Sequence, residues 1–142
     1  EAFRDNDESL RRIQEYVVAY NNRGNAYLAM GEHNHAIEDY NKAVALDPEN
    51  VAAYSNRGTA YRALGENERA IEDYDEVVRI KPDYAAVYNN RANAYYDLGQ
   101  RERALKDYDE AIRLDPSDPD IYINRGNVLF ETAQFDRAAE EY

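Results

Sequence analysis

The sequence predicts an all-α fold, an α-solenoid of antiparallel helix hairpins stacked one upon the next. Three observations carry that prediction. The first is a period: Tyr20, Tyr54, Tyr88 and Tyr122 stand 34 residues apart, as do Arg23, Arg57, Arg91 and Arg125. The same offset relates Pro48, Pro82 and Pro116, then Ala36, Ala70, Ala104 and Ala138, then Tyr40, Tyr74, Tyr108 and Tyr142. A fixed period of this length marks a supersecondary unit that cannot bury its apolar face alone and must stack on its neighbours. The second is helical spacing inside each unit, where Ala53, Tyr54, Arg57, Gly58 and Tyr61 recur at steps of three and four and so share one face. The third is punctuation. Gly31, Gly65 and Gly99 can close a helix in the left-handed conformation, and Asp-Pro or Lys-Pro ends the next one.

Taken in order, residues 1–8 read as a loose arm and residues 9–16 as a helical extension leading into the first repeat. Repeats then occupy 17–50, 51–84, 85–118 and 119–142, the last incomplete. First helices are predicted over 17–30, 51–64, 85–98 and 119–132, and second helices over 35–47, 69–81 and 103–115. A short fourth second helix is expected from Phe135 to Tyr142, leaving Tyr122, Leu129 and Phe130 only partly covered. Asp118-Pro119 reads as a cap followed by proline in the first turn. The paired small residues Gly24 and Ala36, Gly58 and Ala70, Ala92 and Ala104, and Gly126 and Ala138 let the two helices of a hairpin approach closely.

The string Tyr54-Ser55-Asn56-Arg57-Gly58-Thr59-Ala60-Tyr61, followed by Gly65, Ala70, Tyr74, Val77 and Pro82, resembles the tetratricopeptide repeat (TPR) signature. The resemblance covers residues 17–142 without insertion and implies a right-handed superhelix whose first helices line a concave groove. Three departures stand out. Arg23, Arg57, Arg91 and Arg125 occupy the place where the family usually has Leu, Leu129 replaces an aromatic, and Ala133 replaces the turn glycine of the fourth unit.

Composition bounds the function. The 142 residues carry 29 acidic and 17 basic side chains, a net charge of −12, which opposes nucleic acid and anionic membrane surfaces, since both are held by Lys and Arg. The segments predicted as first helices together carry +2, so the rest carries −14 and forms a solvated outer face. Fourteen tyrosines and three phenylalanines exceed what a disordered acidic chain would hold. The absence of cysteine excludes disulfides and thiolate metal sites and suits a reducing, cytoplasmic setting. No apolar run spans a bilayer or forms a leader, and Glu1 in place of Met reads as a fragment.

The resemblance implies that the groove is lined by Asn22, Asn56, Asn90 and Asn124, with a second column of Asn25, Thr59, Asn93 and Asn127. An amide offers donors and an acceptor to a foreign backbone. The arrangement resembles the asparagine ladder in the repeat domain of O-linked N-acetylglucosamine transferase. Leu28, Arg62, Tyr96 and Phe130, with Val18, Ala52, Ala86 and Asp120, differ from unit to unit and would read ligand side chains. The expected role is therefore a scaffold that binds a peptide segment of another protein.

A second expectation is self-assembly, in which unfinished ends stack on other copies. The chaperone-tail subset of the family uses Lys and Arg to grip a carboxylate. At the matching positions Asn21, Asn25, Asn56, Ala86 and Asn90, or one repeat later Ser55, Thr59, Asn90, Asp120 and Asn124, neither cation is present, which disfavours that ligand.

A guanidinium in place of a packing Leu needs a carboxylate. The acidic column Asp39, Asp73, Asp107 and Glu141 is the candidate partner. Rival chemistries fail on spacing. His33 and His35 beside Glu32 lack a third metal ligand, and Asp5-Asn6-Asp7-Glu8 lacks the glycine and final glutamate of a calcium loop. No base, nucleophile or phosphate-cradling loop accompanies the repeated carboxylates, so neither an enzyme nor a cofactor is expected.

Overall fold

The computed structural model describes residues 2–141, and among them seven helices and no strand. They are α1 (Ala2–Ala29), α2 (His33–Leu46), α3 (Val51–Ala63), α4 (Asn67–Ile80), α5 (Ala85–Asp97), α6 (Arg101–Leu114) and α7 (Pro119–Glu141). The chain divides into two compact units, Glu1–Glu76 and Val77–Tyr142. In the first, α1 packs on α2 and α2 on α3; in the second, α5 packs on α6 and α6 on α7.

Each complete hairpin turns on one glycine. Gly31, Gly65 and Gly99 take φ of 76°, 77° and 75°, where a Cβ would be strained. At each, the N–H three residues past the helix bonds back across the turn: Glu32 to Tyr27, Glu66 to Tyr61 and Gln100 to Tyr95, each at 2.9 Å. The glycine N–H bonds to the carbonyl three residues earlier, Leu28, Arg62 or Tyr96, and the two bonds satisfy carbonyls that a helix end leaves orphaned. This turn is so tight that each second helix starts two residues sooner than predicted, at His33, Asn67 and Arg101. At the other end Asn50 caps α3, its side chain accepting from the Ala53 N–H at 2.9 Å.

The cores are small residues alternating with tyrosines. In the first unit Ala36, Tyr40, Ala43, Ala53, Ala60 and Ala70 have no exposed surface, and Tyr74 is buried beside them. In the second, Val87, Ala92, Ala104, Tyr108, Ala111, Ile121 and Val128 are buried. Gly24 and Gly58 explain the close approach: a Cβ there would lie 2.7 Å from the Tyr40 ring and 2.6 Å from the Tyr74 ring.

Two expectations are corrected. The arm expected to be loose is helical from Ala2, so residues 2–8 continue α1 without a break at 16/17. Residues 1–16 contain no Gly or Pro, and Arg12 meets Glu8 at 2.6 Å one turn away. Extending an existing helix adds one hydrogen bond per residue without a new nucleus. At the other end the expected turn at Ala133 and the separate helix from Phe135 do not form, because α7 runs straight through to Glu141. Ala133 lacks the glycine's access to the left-handed region, and no residue other than Gly31, Gly65 and Gly99 has positive φ among the described residues. Tyr142 lies outside the described residues.

If the turn depends on backbone conformation, Gly65→Ala should lower stability even though nothing lies within 4 Å of its added Cβ. The loss should be about 1 kcal/mol in urea unfolding, and Gly65→Asn, which tolerates this region better, should lose less.

Candidate functional site

The surfaces that carry the two asparagine columns are those of α1 and α3 in the first unit and of α5 and α7 in the second. On α1 and α3, Asn22, Asn25 and Thr59 are exposed and Asn56 is half-buried. On α5 and α7, Asn90, Asn93 and Asn124 are half-buried and Asn127 is exposed.

The amides also face inward. The buried Tyr40 donates its hydroxyl hydrogen to Asn25 Oδ1 at 2.6 Å, and Tyr108 does the same to Asn93 Oδ1 at 2.5 Å. In the second repeat Thr59 Oγ1 lies 3.4 Å from the Tyr74 hydroxyl. Asn56 Nδ2 donates to Asn25 Oδ1 at 3.0 Å, linking consecutive first helices. Both lone pairs of that oxygen are thereby occupied, so the Nδ2 hydrogens are what Asn25 can offer a ligand. Asn124 Nδ2 donates to Asn89 Oδ1 at 3.2 Å. Burial and the neighbouring Asp39 charge push the Tyr40 hydroxyl up to about 12, so it remains a donor at neutral pH.

The positions expected to read side chains are dissimilar in setting as well as in type. Val18, Ala52, Ala86 and Asp120 are exposed, Leu28 and Arg62 half-buried. Tyr96 is half-buried and donates to the Glu131 carboxylate, a bond that raises its pKa. Phe130 is 67% exposed.

The arginine column forms forked ion pairs inside each complete hairpin. Arg23 Nε and Nη2 meet the two Asp39 oxygens at 2.7 Å each, and Arg57 meets Asp73 at 2.9 and 2.6 Å. Arg91 meets Asp107 at 2.7 and 2.9 Å. The parallel geometry matches a planar guanidinium to a carboxylate. Hydrogen bonds from Arg23 hold the Asp39 carboxyl below its ordinary range against the opposing effect of burial. Arg57 and Arg91 also stack on tyrosines of their own helices, Tyr54 at 5.5 Å and Tyr88 at 5.5 Å.

The fourth pair differs from expectation. Arg125 bonds Asp109 of α6 at 2.8 Å, not Glu141. A straight α7 carries Glu141 roughly 24 Å along the axis from Arg125, at 1.5 Å per residue.

The tyrosine-to-amide bonds were not anticipated. Their trace in the sequence is a constant offset of 15 residues between Asn25 and Tyr40 and between Asn93 and Tyr108. His35 Nδ1 lies 3.2 Å from Glu32 Oε2, and its ring packs against Tyr27. Among the described residues no group of three or more His, Asp or Glu side chains could hold a metal ion. No helix there is long and apolar enough to cross a membrane.

A family model of the TPR repeat matches residues 24–65, 58–99 and 92–132. No curated protein matches the sequence significantly. Among solved structures, the chain is similar to the first TPR of Spaghetti (RPAP3) bound to the HSP90 peptide SRMEEVD: 27% identity, 84% of this chain, 94% of that one, TM-score 0.81. The first TPR domain of human RPAP3 gives 26% identity over 85% and 95% of the two chains, TM-score 0.81. The Sgt2 TPR domain of Aspergillus fumigatus gives 25% identity over 87% and 83%, TM-score 0.82.

The inward bond of Asn25 makes a separable prediction. Asn25→Ala strands the Tyr40 hydroxyl in the core and should cost about 1–3 kcal/mol in thermal or chemical unfolding. Adding Tyr40→Phe should recover most of that loss. Asn22→Ala should stay within about 0.5 kcal/mol of the parent.

Proposed function

Since the chain belongs to the tetratricopeptide-repeat family, we propose that it is a protein-interaction scaffold that holds an extended peptide segment of a partner against its first helices. The observation that carries the reading is the directional use of the amides. Asn25 and Asn93 turn their oxygens inward to buried tyrosines, so these two amides meet a ligand chiefly with N–H donors. Such a surface suits the carbonyl oxygens of an extended backbone, which recur along any sequence. Leu28, Arg62, Tyr96 and Phe130, with Val18, Ala52, Ala86 and Asp120, then supply sequence preference. Aromatic and Arg side chains are the types that dominate binding energy in well-packed contacts.

The similar RPAP3 domains bind chaperone-tail peptides, yet this ligand is disfavoured here. Asn21 is buried, with its Nδ2 committed to Asn50 Oδ1 at 3.1 Å. Ala86 and Asn90 supply no positive charge, and a carboxylate held without a cation loses its strongest bonds.

Dodecapeptides selected from a displayed random library should bind with Kd values readable by fluorescence anisotropy. Asn56→Ala with Asn90→Ala should weaken them about tenfold, the effect of two donors near 0.7 kcal/mol each, with the melting temperature nearly unchanged. The SRMEEVD peptide should bind much more weakly than the selected ones. Selected peptides indifferent to both substitutions would refute backbone capture by the ladder.

A further inference from the structure

The three complete hairpins repeat one set of contacts between first and second helix. Arg23–Asp39, Arg57–Asp73 and Arg91–Asp107 join residues sixteen apart. The Tyr40 and Tyr74 rings fill the notches at Gly24 and Gly58, again sixteen apart. Tyr27 meets His35, Tyr61 meets Arg69 and Tyr95 meets Arg103, each eight apart.

Carried one period further, these contacts become Arg125 with Glu141, Gly126 with Tyr142, and Leu129 with Arg137. In α7 both members of the Arg125–Glu141 and Leu129–Arg137 pairs lie on one straight helix. Eight residues span about 12 Å and sixteen about 24 Å, so neither pair can close within one chain in this conformation. The first halves of these pairs lack the contacts that a second helix makes in the other repeats. Nothing lies within 4 Å of a Cβ at Gly126. Arg125 makes its ion pair at the surface, with side chains 37% and 60% exposed, against 16% and 8% for Arg91 and Asp107. Tyr122, Ile123, Leu129, Phe130 and Phe135 are all exposed.

The straightness is held by contacts from the preceding hairpin as well as by Ala133. Tyr96 bonds Glu131 just before the missing turn, and Arg101 lies over the Phe135 ring, 4.6 Å from its centroid, just after it.

We propose that α7 pairs with the α7 of a second copy, antiparallel, so that residues 135–141 of each take the second-helix position on residues 122–130 of the other. The occupant is identified by register. The chain itself carries the carboxylate, the small residue and the basic side chain at Glu141, Ala138 and Arg137, at the spacing that this face requires. All three paired contacts have the same midpoint to within a residue, near Ala133 and Gln134, so one two-fold axis there satisfies both copies at once. This is an isologous exchange, in which the missing hinge becomes the centre of the interface. It rests on register and uses none of Asn25, Asn56, Asn90 and Asn93.

The sequence has no cysteine, which makes a crosslinking test clean. In the 142-residue chain, Leu129→Cys with Arg137→Cys should oxidise to a covalent dimer of doubled mass on a non-reducing gel. Either single variant should run as a monomer on that gel, because like positions in the two copies stand about 12 Å apart along the axis, beyond the ~7 Å limit between Cα atoms for a disulfide. Ala133→Gly in the double-cysteine background restores the turn residue and should convert the product to an internally crosslinked monomer. Sedimentation of the cysteine-free chain should show mass doubling as concentration rises through the micromolar range, and Gly126→Val, which blocks the notch, should move that rise to higher concentration. An internally crosslinked monomer without Ala133→Gly, the absence of any crosslink, or a monomeric mass at every concentration would each overturn the proposal.

Discussion

Two helices of a hairpin must lie close enough for a tyrosine ring to rest where a residue has no side chain. That approach, Tyr40 on Gly24 and Tyr74 on Gly58, positions everything else. It brings Arg23 and Arg57 within reach of Asp39 and Asp73 on the facing helix. It also brings the Tyr40 hydroxyl through the hairpin to Asn25. A buried hydroxyl without a partner is costly, so the amide on the far side is held to one orientation. The third repeat shows the tolerance of the device: Ala92 takes the glycine's place, and Tyr108 still reaches Asn93 from a fully packed site.

The ion pairs modify the family pattern without disturbing it. A leucine would fill this place by burial alone. Arg57 and Arg91 fill it by laying their stems and guanidinium planes along tyrosines while their forks meet aspartates that are about 5% and 8% exposed. Such pairs add little net stability over an apolar residue, yet losing one partner leaves a buried charge. Their effect is to fix the rotation of first against second helix, and with it the direction in which the neighbouring asparagines point.

The period, the hairpin and the limits of α2 to α6 to within two residues were legible in the sequence because each rests on a local rule: apolar spacing, a glycine with positive φ, a proline after the second helix. The ends were less legible. At residues 2–8 polarity suggested a loose arm, but a helix already nucleated beyond Val17 extends through polar residues when no Gly or Pro stops it. At Ala133 the departure from the turn residue was visible, while its consequence, a continuous α7 that carries Glu141 away from Arg125, needed coordinates. The groove asparagines were placed on their helices by register, but a sequence shows no hydrogen-bond direction. That Asn25 and Asn93 spend their oxygens on tyrosines follows only from the three-dimensional offset between the two helices.

The central claim is a division of labour within Asn25 and Asn93, oxygens held inward by the hairpin and amide hydrogens offered outward to a ligand. Side-chain amide resonances in a 1H–15N NMR titration with a selected peptide test it directly. The account predicts that the Nδ2 signals of Asn25, Asn56, Asn90 and Asn93 shift with saturation, while that of Asn21, buried as well as bonded to Asn50, stays in place. Unmoved groove amides, with the shifts gathered instead on the second helices α2, α4 and α6, would contradict it.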